Sequence, residues 1–403
     1  MNIIFLTLSD INSIYDSNIY TDLLKEFKNH GHSIYIVSPC ERKNKKTTYV
    51  IEEDICKILK VKVGNIQKTN IIEKGISTVL LETNYKTAIK KYLKYKRFDL
   101  ILYSTPPITL ASTIEYLKKR DNAKTYLLLK DIFPQNAVDL GMLNKNGLKR
   151  VLYDYFRFKE KKLYEISDSI GCMSQANVDF IVKHNHNISP EIIEVCPNSI
   201  APLVIDKDEK KIKEIKDKYK IPSDKTVFIY GGNLGKPQGI NFLIDCLKAN
   251  KTNEQAYFII AGSGTEYNKL KTFLDIEKPV NAQLFKQLPK KDYEVLVNSC
   301  DVGLIFLDKR FTIPNFPSRL LSYMQASMPV LAATDVNTDI GQIIEQGEFG
   351  YWCESSDVRQ FNQKVLQLCN RDLRNQMGIN AKRYLEENYT TKHSYEIIMD
   401  HFK

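Results

Sequence analysis

Pro314-Asn-Phe-Pro-Ser-Arg-Leu-Leu-Ser-Tyr-Met-Gln-Ala-Ser-Met-Pro-Val-Leu331 reads as a turn, a helix start, a short amphipathic helix and a buried strand. Pro317 suits a first helical turn, where the N–H it lacks would have no partner anyway. Leu320, Leu321 and Met324 recur at helical spacing, and Pro329 stops the helix before the apolar run Val330-Leu-Ala-Ala333. A helix start offers free N–H groups and the positive end of a dipole, which suits a phosphate. An ordinary helix–strand unit of a parallel sheet has the same pattern, so the neighbouring segments must decide.

Outward from this stretch, apolar runs alternate with helix-like segments. Val227–Tyr230, Ala256–Ala261, Gln283–Phe285, Val302–Phe306 and Val330–Ala332 form one series of strands. An earlier series comprises Ile3–Leu8, Ser33–Ser38, Asp99–Ser104, Thr125–Leu129, Ser169–Met173 and Ile192–Val195. Strands alternating with helices predict an α/β protein of two doubly wound, Rossmann-like domains. Residues 41–75, rich in Lys, Thr and Glu, resist assignment, and Lys207–Lys218 reads as a solvated helix between domains. The expected division is residues 1–200, residues 201–385 and a last helix, 386–403, crossing back to the first domain. Ligands of such sheets bind beyond the carboxyl ends of the strands, which places the expected site in a cleft between the domains.

Composition narrows the class. With 43% hydrophobic and 26% charged residues, the chain of 403 reads as a soluble globular protein. No apolar run reaches the roughly 18–20 residues that span a bilayer. The first residues read as a strand rather than a signal peptide. Eight scattered cysteines without a C-x-x-C pair favour reduced, buried thiols in a cytoplasmic protein. The net charge of +10 is uneven: residues 1–200 hold 30 basic and 22 acidic side chains, residues 201–403 hold 28 and 26. A basic first half points to an anionic partner; no recognised nucleic-acid-binding motif accompanies the charge, and an anionic membrane surface fits at least as well as nucleic acid. Gly147 to Leu163 mixes aromatic and basic residues, as a helix on such a membrane would, or as a helix packing its rings into the domain would.

Four loops at strand ends carry candidate chemistry. In Tyr230-Gly-Gly-Asn-Leu-Gly-Lys-Pro-Gln-Gly239, Gly232 lets backbone approach a ligand and Lys236 offers a cation to a diphosphate. Ala261-Gly-Ser-Gly-Thr-Glu266 supplies a second glycine turn with Gly264. The loop after Phe285, Lys286-Gln-Leu-Pro289, suits a planar base held by backbone hydrogen bonds. Ser318 and Arg319 lie at the helix start of the opening stretch, where a guanidinium can grip phosphate through two N–H groups. In the first half, Asp131 follows a strand and suits work on an acceptor hydroxyl, or a turn or helix cap. Ser9 and Asp10, after the first strand, are weaker acceptor-side candidates. The six histidines and the carboxylates show no metal-ligand spacing, so no metal is expected.

In order and spacing these loops resemble the nucleotide-binding domain of the retaining glycosyltransferases of the GT-B fold, family 4. Ser104-Thr-Pro-Pro-Ile108, Lys130-Asp-Ile-Phe-Pro-Gln135 and Cys196-Pro-Asn-Ser-Ile200 resemble landmarks of bacterial capsule and O-antigen members. The resemblance implies a metal-independent hexosyl or N-acetylhexosaminyl transferase. It would have no cofactor, a nucleotide-diphosphate sugar (a UDP-sugar first) as donor and a lipid-linked saccharide as acceptor, and would act in the cytoplasm or on the inner membrane face. It assigns Gly232, Asn233, Lys236, Gln238, Gly264, Ser318, Arg319 and Ser322 to the donor and phosphates, Lys286 and Leu288 to the base, and Asp131 to catalysis. Domain closure is implied as well. The sequence departs from the family's Glu-x7-Glu element, with Pro314 and Ser322 at the sugar- and ribose-facing positions. Asn233 and Gln238 stand where the phosphate loop has Arg and Lys. Two rivals stay open: a nucleotide-sugar epimerase, and a catalytically silent partner in polysaccharide assembly.

Overall fold

The computed structural model describes residues 1–66, 71–203 and 208–403; the side chains of residues 71, 72 and 74–76 lie outside the description. The chain forms two compact units: residues 1–201 with 391–403, and residues 202–390.

Unit 1 runs β1 (Asn2–Leu6), α1 (Ile19–Asn29), β2 (Ser33–Glu41), β3 (Tyr49–Glu53), β4 (Cys56–Val63), α2 (Ile71–Tyr92) and β5 (Leu100–Ser104). It continues through α3 (Ala111–Asp121), β6 (Lys124–Leu129), α4 (Gln135–Asp139), α5 (Lys149–Glu165), β7 (Ser169–Cys172), α6 (Gln175–His184) and β8 (Ile193–Val195). The strand order is β3-β4-β2-β1-β5-β6-β7-β8. The strands pair in parallel except β3, which runs antiparallel to β4. The unassigned stretch of residues 41–75 thus holds a hairpin, and β4 buries Lys60 at 1% exposure. A lysine inside a strand reads as solvent-facing, yet here its ammonium meets the Asp10 carboxylate, the Ile11 carbonyl at 2.9 Å and Ser38 Oγ at 3.1 Å. A buried cation is tolerated when it is paired and hydrogen-bonded in this way.

Unit 2 runs α7 (Glu209–Tyr219), β9 (Thr226–Asn233), α8 (Ile240–Ala249), β10 (Ala256–Ser263), α9 (Tyr267–Glu277), β11 (Ala282–Phe285) and α10 (Lys290–Asn298). Then come β12 (Val302–Phe306), α11 (Arg319–Gln325), β13 (Val330–Thr334), α12 (Ile340–Gln346), β14 (Gly350–Glu354), α13 (Val358–Leu368) and α14 (Arg371–Asn388). Its parallel sheet has the order β11-β10-β9-β12-β13-β14, the 3-2-1-4-5-6 winding of dinucleotide-binding sheets. The doubly wound expectation holds for both units. Helix α7 is mostly solvent-facing, as its composition predicts, but it is seated on unit 2: it packs on α10, buries Ile215, and places Lys218 and Tyr219 on Asp292. Lys207, taken as the start of that helix, lies outside the described residues.

Helix α15 (Thr391–Asp400) returns to unit 1, where Ile398 joins the core formed by Phe5, Phe27 and Ile36. Tyr395 stacks on His30 at 4.0 Å between ring centroids and places its hydroxyl 3.1 Å from His32 Nε2. These two histidines therefore fasten the last helix as well as marking a turn. All eight cysteines are free thiols and seven are buried.

Candidate functional site

In each sheet the strand order reverses beside the first strand, and the loops at that point hold most of the predicted site residues. In unit 2 the reversal lies between β9 and β12. Gly232, at the end of β9, has φ 137°, a conformation that L side chains rarely adopt. A Cβ there would stand 3.1 Å from Arg319 Nη2, so the guanidinium lies across bare backbone. Arg319 also covers the Tyr230 ring, with Cζ 4.3 Å from its centroid, and its Nη1 is buried without a hydrogen-bond partner. Burial opposes its charge, but Tyr230, Tyr323 and Tyr293 around it outweigh that and raise its pKa. A charged donor set with one buried N–H group unpaired is a site prepared for an anion.

The helix expected at this point is short. Helix α11 has seven residues, Ser318 makes no side-chain cap, and the Ser322 side chain is exposed to solvent. Its dipole is correspondingly limited, and the fixed charge here is that of Arg319. Asn233 and Gln238 are spent inside their own loop: Gln238 Oε1 accepts from Asn233 Nδ2 at 3.3 Å and from the Gly235 N–H at 3.2 Å. Lys236 is exposed and, among the described residues, has no ion pair. It borders a hollow of about 200 Å³ with Asn241, Glu266, Asp308 and Arg310. Gly264 serves packing, since a Cβ would collide with the Leu234 carbonyl where the two glycine loops meet. Their backbones are zipped by Leu234 N–H to Ser263 O at 3.0 Å and Glu266 N–H to Leu234 O at 2.9 Å. Lys286 is exposed with its ammonium 5.7 Å from the Tyr267 ring centroid, and Leu288 is half-buried. Buried Pro314 precedes Asn315, whose carbonyl accepts from Thr338 Oγ1 at 2.7 Å.

Asp335, at the carboxyl end of β13, escaped the sequence reading. It is buried, and burial pushes its carboxyl up to about 6. Its Oδ1 accepts the Asn337 and Thr338 N–H groups at 2.9 and 3.2 Å, whereas Oδ2 has no partner. An acidic residue directly after an apolar strand was the available signal.

In unit 1 the reversal lies between β1 and β5, and β6 follows. Asp131, just past β6, is half-buried, and burial pushes its carboxyl up to about 6. Asn136 Nδ2 donates to its Oδ1 at 2.7 Å. Thr105 Oγ1 fixes the backbone, accepting from the Lys130 and Asp131 N–H groups at 3.0 and 3.1 Å. Burial draws the neighbouring Lys130 ammonium down to about 8. Burial also raises the Tyr20 phenol, and the Asp131 charge adds to that. Asn136, Thr105 and Tyr20 were not foreseen: they come from α4, the loop after β5, and α1, and only the fold assembles them. Ser9 and Asp10 follow β1; the Ser9 carbonyl accepts from Ser38 Oγ at 2.8 Å, and Asp10, half-exposed, pairs with Lys60. Among the described residues no group of three or more His, Cys, Asp or Glu could hold a metal ion.

Residues 211–384 match the family model of Glycosyl transferases group 1. The glycine loops, Arg319 and Asp335 all lie inside that match. Over 337 residues the chain is 25% identical to the probable glycosyltransferase WbjE of Pseudomonas aeruginosa, covering 82% of this chain and 80% of that one. It is 22% identical over 254 residues, 61% of this chain and 60% of the other, to WcaI of Escherichia coli (strain K12), which bears the provisional name of a colanic acid biosynthesis glycosyl transferase. Among solved structures, Alr3699/HepE of Anabaena in complex with UDP-glucose has a TM-score of 0.71 at 13% identity, covering 100% of this chain and 99% of that one. At that identity the likeness is one of fold, the two-domain GT-B fold.

Proposed function

We propose that the protein transfers a glycosyl group, with retention, from a UDP-sugar to a lipid-linked saccharide during assembly of a bacterial surface polysaccharide. The observation that carries this reading is Arg319, half-buried over Gly232 with a buried, unpaired Nη1 at the strand-order reversal of unit 2. The departing diphosphate needs positive charge where its own charge develops, and preorganised donors supply it best. Arg319 would hold that position, with exposed Lys236 as a second cation. The reading assigns the diphosphate's countercharge to these groups rather than to a metal. Backbone around Lys286 and Leu288 would take the base. Asp131, poised near 6, is ionised at neutral pH and suited to orient or deprotonate an acceptor hydroxyl. The choice of donor and pathway class is supported by HepE, solved with UDP-glucose, and by WcaI, named for colanic acid biosynthesis.

A silent assembly partner is the second reading, favoured by Pro314 and Ser322 at the positions where the resembled family has glutamates. The test is thermal unfolding with a panel of nucleotides and nucleotide sugars, since a ligand of the folded state raises the melting temperature. A UDP-sugar should stabilise the protein, and Arg319→Ala should weaken its binding by about tenfold or more, as loss of a charged hydrogen-bonding group does. Absence of any nucleotide effect would sink the reading. Binding without transfer, across lipid-linked acceptors, would favour the silent partner.

A further inference from the structure

Helix α5 carries an apolar stripe that the sugar chemistry does not use. Leu148, Val151, Leu152, Tyr155 and Phe158 follow the i, i+3, i+4, i+7, i+10 spacing of one helical face. Leu148 is 99% exposed, Val151 77% and Phe158 63%. The helix is nevertheless firmly seated through its other face, where Glu160, Leu163 and Tyr164 are buried and Phe156 meets Phe133 at 4.9 Å. Arg157 clamps it to α6 through Asn185 Oδ1 at 2.7 Å and the His184 carbonyl at 3.0 Å. Lys159 ties it to Glu82 of α2 at 2.9 Å. The helix that bears the stripe is therefore anchored to the unit along its second half.

The charge around the ridge is one-sided. Residues 142–162 hold seven basic and two acidic side chains. Arg150, Arg157 and Lys159 are consumed by Asp154, Glu160 and Glu82. Lys145, Lys149, Lys161 and Lys162 have no ion pair among the described residues. Beside the start of the ridge, Val138, Gly141, Asn144 and Lys149 border a hollow of about 460 Å³, room for a polar headgroup. A second copy of the chain would bring like charges together, which disfavours self-association.

We propose that α5 is a membrane-docking ridge: Leu148, Val151, Leu152 and Phe158 enter the headgroup–acyl boundary of an anionic bilayer, while the unpaired lysines meet its phosphates. An in-plane amphipathic helix combines buried apolar area with attraction to anionic lipid in this way. Tyr155 suits the interfacial level, with its ring apolar and its hydroxyl polar. The proposal stands whether or not the sugar-transfer reading holds.

The experiment is sedimentation of the full chain with vesicles of phosphatidylglycerol and phosphatidylcholine, against vesicles of phosphatidylcholine alone. The wild type should bind the anionic vesicles at least tenfold more tightly, and added salt should weaken that binding. Val151→Glu/Leu152→Glu/Phe158→Glu should lose at least tenfold with an unchanged melting temperature; if that variant fails to fold, Val151→Glu alone carries the comparison. Lys149→Gln/Lys161→Gln/Lys162→Gln should flatten the salt dependence. Failure of the wild type to sediment, or wild-type sedimentation by the triple glutamate variant, would overturn the proposal. So would light scattering that showed a dimer which the same substitutions dissociate.

Discussion

The strand-order reversals of the two sheets are built from opposite materials. In unit 2 the reversal is largely bare backbone, with Gly232 beneath the Arg319 guanidinium, which keeps its charge at any working pH. In unit 1 the end of β6, one strand beyond the reversal, carries titratable side chains: Asp131 pushed up to about 6 and Lys130 drawn down to about 8. Backbone and fixed charge suit holding a ligand whose own charge does not change on binding. Groups whose pKa values lie near neutrality suit moving or holding a proton. On the proposed function, unit 2 would bind the nucleotide and unit 1 would handle the proton.

The largest expected effect tests that assignment directly. Asp131→Asn should lower transfer by about 100-fold, as loss of a positioned acid–base group does. Nucleotide binding should stay within about twofold, measured by calorimetry with UDP. A matching loss of nucleotide affinity would break the comparison. The same variant has a stability signature. Because burial raises the folded pKa of Asp131, the native state keeps a proton that the unfolded chain releases. That contribution is complete below the ordinary carboxylate range near 4 and is lost as pH rises through about 6. The wild type should therefore lose stability across this window relative to Asp131→Asn. At pH 7 the variant should be the more stable by on the order of 1–2 kcal/mol, allowing for the partial exposure of the side chain. Urea unfolding at pH 4, 5, 6 and 7 measures it.

A comparable effect, on stability rather than turnover, is expected at Gly264. A Cβ there meets the Leu234 carbonyl, which belongs to backbone and cannot swing aside. Gly264→Ala should destabilise unit 2 by about 1–3 kcal/mol, the usual range for overpacking. Nucleotide affinity should fall only as far as the loops shift. If thermal unfolding were unchanged and UDP binding abolished, Gly264 would touch ligand and the unit 2 site would extend further along β10 than its packing indicates.

How much of this was legible depended on whether a residue acts where its neighbours in sequence are. Apolar runs such as Val227–Tyr230 and Leu100–Tyr103 declare their strands because both faces of a parallel sheet are buried. The β3–β4 hairpin did not, since Lys57, Lys60 and Lys62 interrupt it and the partner of Lys60 lies 50 residues away. Strand β14 escaped as a short edge segment beginning at Gly350. Arg319 and Asp131 could be read from their places at element ends. Their surroundings could not: the Tyr230 ring beneath Arg319, and Asn136, Thr105 and Tyr20 around Asp131, meet only through the fold. Gln238 shows the converse: a polar residue read as a phosphate contact, whose side-chain oxygen bonds to the N–H of Gly235 in its own loop.

Lys236 gives the smallest effect and the sharpest test of how fixed the unit 2 site is. It sits on a single turn of 3-10 helix, is exposed, and among the described residues has no ion pair. Arg319, by contrast, is held against Tyr230 and Gly232. An exposed lysine pays rotamer entropy to grip a phosphate and acts through solvent, so its contribution is about 0.2–1 kcal/mol and screened by salt. Lys236→Ala should weaken UDP binding about twofold to fivefold at low salt, with little loss above about 0.5 M, where exposed charges further apart than a few ångströms no longer interact strongly. The Arg319→Ala loss should persist at both salt concentrations, because burial shields that site from counterions. Titration of both variants with UDP at two ionic strengths measures the difference. An equal, salt-independent loss in Lys236→Ala would mean that its loop closes on the nucleotide and that unit 2 holds its ligand with two fixed cations.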